Sequence, residues 1–110
     1  MTIKDCIAPD RNPQKPIINL PHGSVDTHVH IFEKRFPLFE GRGYNPPEST
    51  LDDLMHLHSV LGVDRVVFTQ PSVYGVDNSA ILKGINKLNG SNKYTILGIE
   101  NRIEQIIANL

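Results

Sequence analysis

Apolar and polar positions along the chain follow two periods that take turns. From Ser24 to Phe32 the sequence alternates with a period of two and is rich in β-branched residues, which predicts a strand. Leu51, Leu54, Met55, His58 and Leu61 then recur at three- and four-residue steps, which predicts a helix. Thr50-x-x-Asp53 resembles a capping box at its start, with Asp in place of the usual Glu, and Gly62 is a natural stop. Arg65 to Thr69 predicts a second strand, closed by Gln70-Pro71. Ile81, Leu82, Ile85 and Leu88 form the stripe of a second helix, capped by Asp77 or Asn78 and ended by Gly90. Tyr94 to Ile99 predicts a third strand, and Ile103, Ile106, Ile107 and Leu110 a third helix.

Strands alternating with helices of this length imply parallel strands joined by crossovers, an α/β class. The almost wholly apolar second strand fits a sheet covered on both faces. Residues 1–22 carry Pro9, Pro13, Pro16 and Pro21 among polar residues and form an extended, Pro-rich leader rather than a domain. The irregular stretch from Glu33 to Ser49 is long enough to be either functional or disordered.

The net charge of −1 gives no electrostatic case for nucleic acid or an anionic membrane. The sequence shows no run long and apolar enough to span a membrane and no signal-peptide core. The single cysteine, Cys6, forms no internal disulfide, and a cytoplasmic location is expected.

Chemistry concentrates in Asp26-Thr27-His28-Val29-His30. Alternation places Asp26, His28 and His30 on one face and Val25, Val29 and Ile31 on the other. Two imidazoles two residues apart on a strand can converge on one cation or one substrate group. On an antiparallel strand the same pattern would be a wet face; in a sandwiched parallel sheet these polar groups need partners. The histidines end the first strand, and the long loops after strands one and two open on that side. That is where a (β/α)8 barrel or a doubly wound sheet places its site. The chain has no Gly-rich phosphate turn, which argues against nucleotide binding. His56 and His58 cannot chelate together, because helical residues two apart point away from each other. His58 belongs beside the packed stripe and His56 toward solvent, and neither His22 nor Cys6 is expected in the site. Tyr44 and Tyr74 sit on the functional-side loops, as ligand contacts or as buried anchors. Ser72 is placed to bond a substrate carboxylate or to shape the turn after Pro71.

Together with Arg35-Phe36-Pro37, Tyr44-x-Pro46-Pro47, Leu61-Gly62-Val63-Asp64-Arg65-Val66-Val67 and Gln70-Pro71-Ser72-Val73-Tyr74-Gly75-x-Asp77-Asn78, the strand-one motif resembles the amidohydrolase-related family. The likeness covers residues 23–90 and is greatest to the 2-pyrone-4,6-dicarboxylate lactonase-like branch. The D-x-H-x-H element alone is shared with TatD-type nucleases and PHP-type phosphoesterases; the Gln70–Asn78 stretch is more specific. The resemblance implies a TIM-barrel hydrolase of lactones or cyclic carboxylate esters. It implies His28 and His30 as catalytic residues or ligands of a divalent metal (zinc or manganese), and Tyr44 and Ser72 as contacts to a small-molecule carboxylate substrate. The family also uses a histidine from a middle strand and an aspartate from the last, and neither is found here. A full barrel takes about 250 residues, so residues 23–110 are expected to be the N-terminal β-α units of an incomplete barrel. Such a fragment is expected to be inactive alone and prone to self-association. A decarboxylase of the same superfamily, or a non-enzymatic vestigial fragment, is the alternative.

Overall fold

The computed structural model describes residues 2–88 and 94–101. Three parallel strands, β1 (Val25–Val29), β2 (Arg65–Thr69) and β3 (Thr95–Glu100), lie side by side in chain order. Helix α1 (Leu51–Leu61) joins the first two strands, and a 3-10 turn (Ser72–Tyr74) with helix α2 (Ser79–Leu88) follows β2. The expected third helix and the Gly90 stop lie outside the described residues.

Helix α1 begins where the capping box predicts. Thr50 Oγ1 accepts from the Asp53 amide and Asp53 Oδ2 accepts from the Thr50 amide, so two otherwise orphaned donors are satisfied reciprocally. Gly62 ends it in the left-handed conformation at φ 81°, which only glycine adopts cheaply. At α2 the Asn78 carbonyl accepts from the Leu82 amide, while the Asp77 carboxylate holds the Ser79 amide. Gly84, an unfavourable helix residue, has a packing reason: a Cβ there would stand 2.8 Å from Ile31 Cδ1. The two helices cover one face of the sheet, burying Val29, Ile31, Val66 and Phe68 against Leu51, Ile81 and Leu88.

The flanking strands do not keep step with β2. Asp26 pairs with Val66 and Val29 with Phe68, three residues on β1 against two on β2. On β3, Ile96 and Gly98 pair with the adjacent residues Val66 and Val67. Each strand therefore carries one extra residue, and an extra residue inverts the facing of everything before it. Asp26 consequently turns to the helix side with Val66. Val25, paired with Arg65, turns away and takes no place in the core. The sequence expectation had these two residues the other way round, because simple alternation does not anticipate a bulge.

Residues 2–22, the leader, hold no helix or strand of the sheet. Residues at its start bond to the 33–49 loop, and that loop is closed at its base by an antiparallel pair of hydrogen bonds between Phe32 and Ser49.

Candidate functional site

Around Val29, where the register with β2 is regained, alternation sets His28 and His30 opposite the buried Val29 and Ile31. Their ring centroids are 5.0 Å apart, nearly perpendicular at 81°, at the C-terminal end of β1. His28 is exposed and His30 half-buried. His30 is oriented by the neighbouring strand. Its Nδ1 lies 2.9 Å from the Thr69 carbonyl oxygen. A carbonyl only accepts, so Nδ1 carries the proton and the neutral ring presents a bare lone pair at Nε2. Backbone anchoring of one imidazole nitrogen to aim the other is the usual arrangement for a ligating or proton-accepting histidine. The ring also packs 5.8 Å from that of Phe32, which limits its swing.

The loops after β1 and β2 are welded by Tyr74. Its hydroxyl donates to the Glu33 carbonyl and accepts from the Glu33 amide, at 3.1 and 3.0 Å. Its ring contacts Phe32 and Phe36. Burial pushes the Tyr74 phenol above its ordinary value. Of the two roles open to Tyr74 in the sequence, the structure supports the anchor.

Tyr44 and Ser72 come from different loops and meet. Tyr44 packs partly buried against the cluster of Val73, Tyr74 and Ala80, and burial raises its phenol while the nearby Ser72 side chain works the other way. Ser72 stands three residues after Thr69, whose carbonyl holds His30. Three trans-peptide steps span at most about 11 Å, so the Tyr44–Ser72 pair belongs to the same rim as the histidines.

Asp26 is not in this site. Its Oδ2 accepts from His58 Nε2 at 2.8 Å, and His58 Nδ1 accepts in turn from the Tyr94 hydroxyl. His58 is fully buried, as its place beside the helix stripe predicts, and His56 is exposed. This network sits at the opposite, N-terminal end of the strands and ties β1, α1 and the start of β3 together. Burial first, then the Asp26 and Asp64 carboxylates, hold the Tyr94 phenol well above its usual range. His22 and Cys6 are exposed and lie away from the histidine pair in sequence and in contacts.

Among the described residues no group of three His, Cys, Asp or Glu gathers to hold a metal. Catalytic zinc normally takes three protein ligands. His28 and His30 are chemically suited to a divalent ion but supply two, so the described residues fit a metal only in part.

The sequence could not show the role of Thr69. A backbone carbonyl is identical in every residue, and only the pairing of β1 with β2 brings this one to His30.

No protein-family model matches the chain. It is 40% identical over 70 residues to a 4-sulfomuconolactone hydrolase of Rhizobium radiobacter, covering 62% of this chain and 23% of that protein. It is 36% identical over 81 residues to a 2-pyrone-4,6-dicarboxylate hydrolase of Comamonas testosteroni, covering 72% of this chain and 27% of the relative. A crystal structure of a probable 2-pyrone-4,6-dicarboxylic acid hydrolase from Acinetobacter baumannii, with citric acid bound, shares the fold. The TM-score is 0.60 at 23% identity, over 76% of this chain and 32% of that one. The chain is therefore a sequence relative of lactone hydrolases, matched over about a quarter of their length.

Proposed function

We propose that this chain forms the opening strands and loops of a (β/α)8-barrel hydrolase of the amidohydrolase-related family, in its 2-pyrone-4,6-dicarboxylate lactonase-like branch. Its substrates are lactones or cyclic esters that carry carboxylates. The observation that carries this reading is the adjacent His28–His30 pair, with His30 held through Nδ1 by the Thr69 carbonyl so that Nε2 is left without a proton. The lactone names of the relatives favour ring hydrolysis over decarboxylation.

Each residue then has a role that follows from its hydrogen-bonding capacity. Tyr44 and Ser72 bring two hydroxyls to one place, which suits the oxygens of a substrate carboxylate. The citrate held by the Acinetobacter relative is a carboxylate-rich ligand of the same kind. His28, whose ring has no hydrogen-bond partner among the described residues, donates to the ester carbonyl oxygen as negative charge develops there. His30 in its neutral form cannot donate from Nε2. It accepts a proton from water as the oxygen adds to the carbonyl carbon, and returns it to the ring oxygen as the C–O bond breaks. A divalent metal, zinc or manganese, would be held by these same imidazoles and would supply Lewis-acid activation of the carbonyl. Among the described residues these two are the only ligands gathered, and the proton transfers run through the imidazoles themselves.

Calorimetric titration with 2-pyrone-4,6-dicarboxylate and with citrate tests this reading. Binding is expected in the unmodified chain, weakened by Ser72→Ala and abolished when His28 and His30 are both changed to Ala. Binding that survives the double substitution unchanged would show that the ligand sits elsewhere.

A further inference from the structure

The first residues of the chain do not trail away from the domain. Asp5 forms a parallel bridge with Asn45, the residue after Tyr44. Asn45 is saturated by this contact and its surroundings. Its amide donates to the Lys4 carbonyl at 2.7 Å and its carbonyl accepts from the Cys6 amide at 2.8 Å. Its side-chain Nδ2 donates to the Ile3 carbonyl and to Asp5 Oδ1, at 3.3 and 3.0 Å, and its Oδ1 accepts from Arg42 Nε at 2.9 Å. A second attachment lies further along the arm. Arg11 pairs with the Asp53 carboxylate at 2.6 Å and also donates to the Glu48 carbonyl. Asp53 is the N3 member of the capping box that starts α1, so the arm is pinned to the fixed end of a helix. The two attachments bracket the segment from Tyr44 to the helix start. Pro9 lies between them, and a proline-stiffened arm has less freedom to lose on docking.

The segment so bracketed has few other holds. The loop is tied at its base by Phe32–Ser49, near its middle by the Phe39 amide to the Val73 carbonyl, and at its start by Tyr74 to Glu33. None of these is a hydrogen bond to Tyr44 or Asn45, and the Tyr44 ring is held on that side by packing alone. One Cα step of about 3.8 Å separates Tyr44 from the residue the arm grips.

We propose that residues 3–11 act as a clasp that positions Tyr44 against Ser72, with Asn45 as the positioning residue through which the clasp acts. The benefit to a carboxylate ligand rests on the reading of Tyr44 and Ser72 given above; the positioning itself does not. Asn is required because both faces of its amide are in use. A carboxylate in its place keeps the acceptor for Arg42 but sets an oxygen, where Nδ2 donated, against both the Ile3 carbonyl and the Asp5 carboxylate. The partial burial that raises the Tyr44 phenol is consistent with the clasp, and the Cys6 side chain on the arm contributes to that rise.

The test uses the full chain and two variants, Asn45→Asp and the swapped pair Asp5→Asn with Asn45→Asp, which restores a donor opposite an acceptor. Three readouts are followed: hydrogen exchange of the Cys6 amide, titration of the Tyr44 ring by NMR, and affinity for citrate. In Asn45→Asp, Cys6 exchange is expected to accelerate and Tyr44 to titrate closer to the ordinary value, while Tyr74 and Tyr94 keep theirs. Citrate binding should weaken roughly tenfold, the scale of one lost hydrogen bond. The swapped pair should recover part of each, because the Ile3 carbonyl still faces an oxygen at position 45. Faster Cys6 exchange with an unmoved Tyr44 titration would overturn the proposal, since the arm would then dock without positioning anything. A Tyr44 that moves while citrate affinity stays constant would overturn the link to the ligand. Failure of the unmodified chain to bind citrate would count against the proposed function instead, and the clasp would then stand or fall on the Tyr44 titration.

Discussion

Replacing Asp26 by Ala should unfold the protein more readily and leave the histidine pair intact. Alternation along the strand would give the opposite result, with Asp26 a site residue whose loss costs function and little stability. In the structure Asp26 Oδ2 takes the proton of His58 Nε2 at 2.8 Å, and the His58 side chain is 1% exposed. Removing the carboxylate, whose side chain is 34% exposed, leaves the buried His58 donor without its charged partner. The cost of such a group is about 1–3 kcal/mol, and the upper half of that range applies where the lost partner is charged. A domain of this size loses about 4–8 °C of melting temperature per kcal/mol, so Asp26→Ala should melt roughly 10 °C lower. His28→Ala is the control. Its ring is exposed, and substitutions at such positions stay within about 0.5 kcal/mol. Far-UV circular dichroism melts at one protein concentration compare the three chains directly, since association would otherwise shift the midpoint. An Asp26→Ala variant that melts with the unmodified chain would refute the bulge and the network built on it.

Two further changes probe the frame. Thr50→Ala removes the hydroxyl that accepts from the Asp53 amide and should cost about 1 kcal/mol, read as a lower urea midpoint with an unchanged slope. Tyr94 holds its proton above the ordinary phenol value of 10.0 in the folded state, so the unfolded chain releases that proton first. Its contribution is therefore fully present below pH 10.0 and is lost as the pH climbs from there toward the raised folded value. Tyr94→Phe should flatten the fall in stability above pH 10.0 in denaturant titrations; an unchanged slope would mean that the phenol is not the group responsible.

The elements were legible because their signals are local. Thr50, Asp53 and Gly62 fix the ends of α1 by their own hydrogen bonds and backbone freedom, and the β-branched run of β2 forms the expected strand, although only Val66 and Phe68 on one face are buried. The pairing of His28 with His30 was legible for the same reason: the two flank Val29, where the register with β2 is regained, and their rings lie together. Asp26 and Val25 lie before the bulge, and nothing in their identities marks the extra residue, which is set by the register of β1 against Val66 and Phe68. Tyr44 and Ser72 could be named from a resemblance, but their meeting depends on two loops folding over the same rim. The anchor of His30 on Thr69 and the grip of the leader on Asn45 are backbone contacts between segments far apart in sequence, and side-chain patterns carry no trace of them.

The most direct test of the account is the state of the His30 ring. Long-range nitrogen–proton NMR correlations on the histidines distinguish a protonated Nδ1 from a protonated Nε2. The structure predicts Nδ1–H on neutral His30, donated to the Thr69 carbonyl, and an Nε2 signal that shifts when 2-pyrone-4,6-dicarboxylate is added. A neutral His30 protonated at Nε2, or an Nε2 signal indifferent to a ligand that binds, would contradict the central claim that this imidazole is aimed at a substrate.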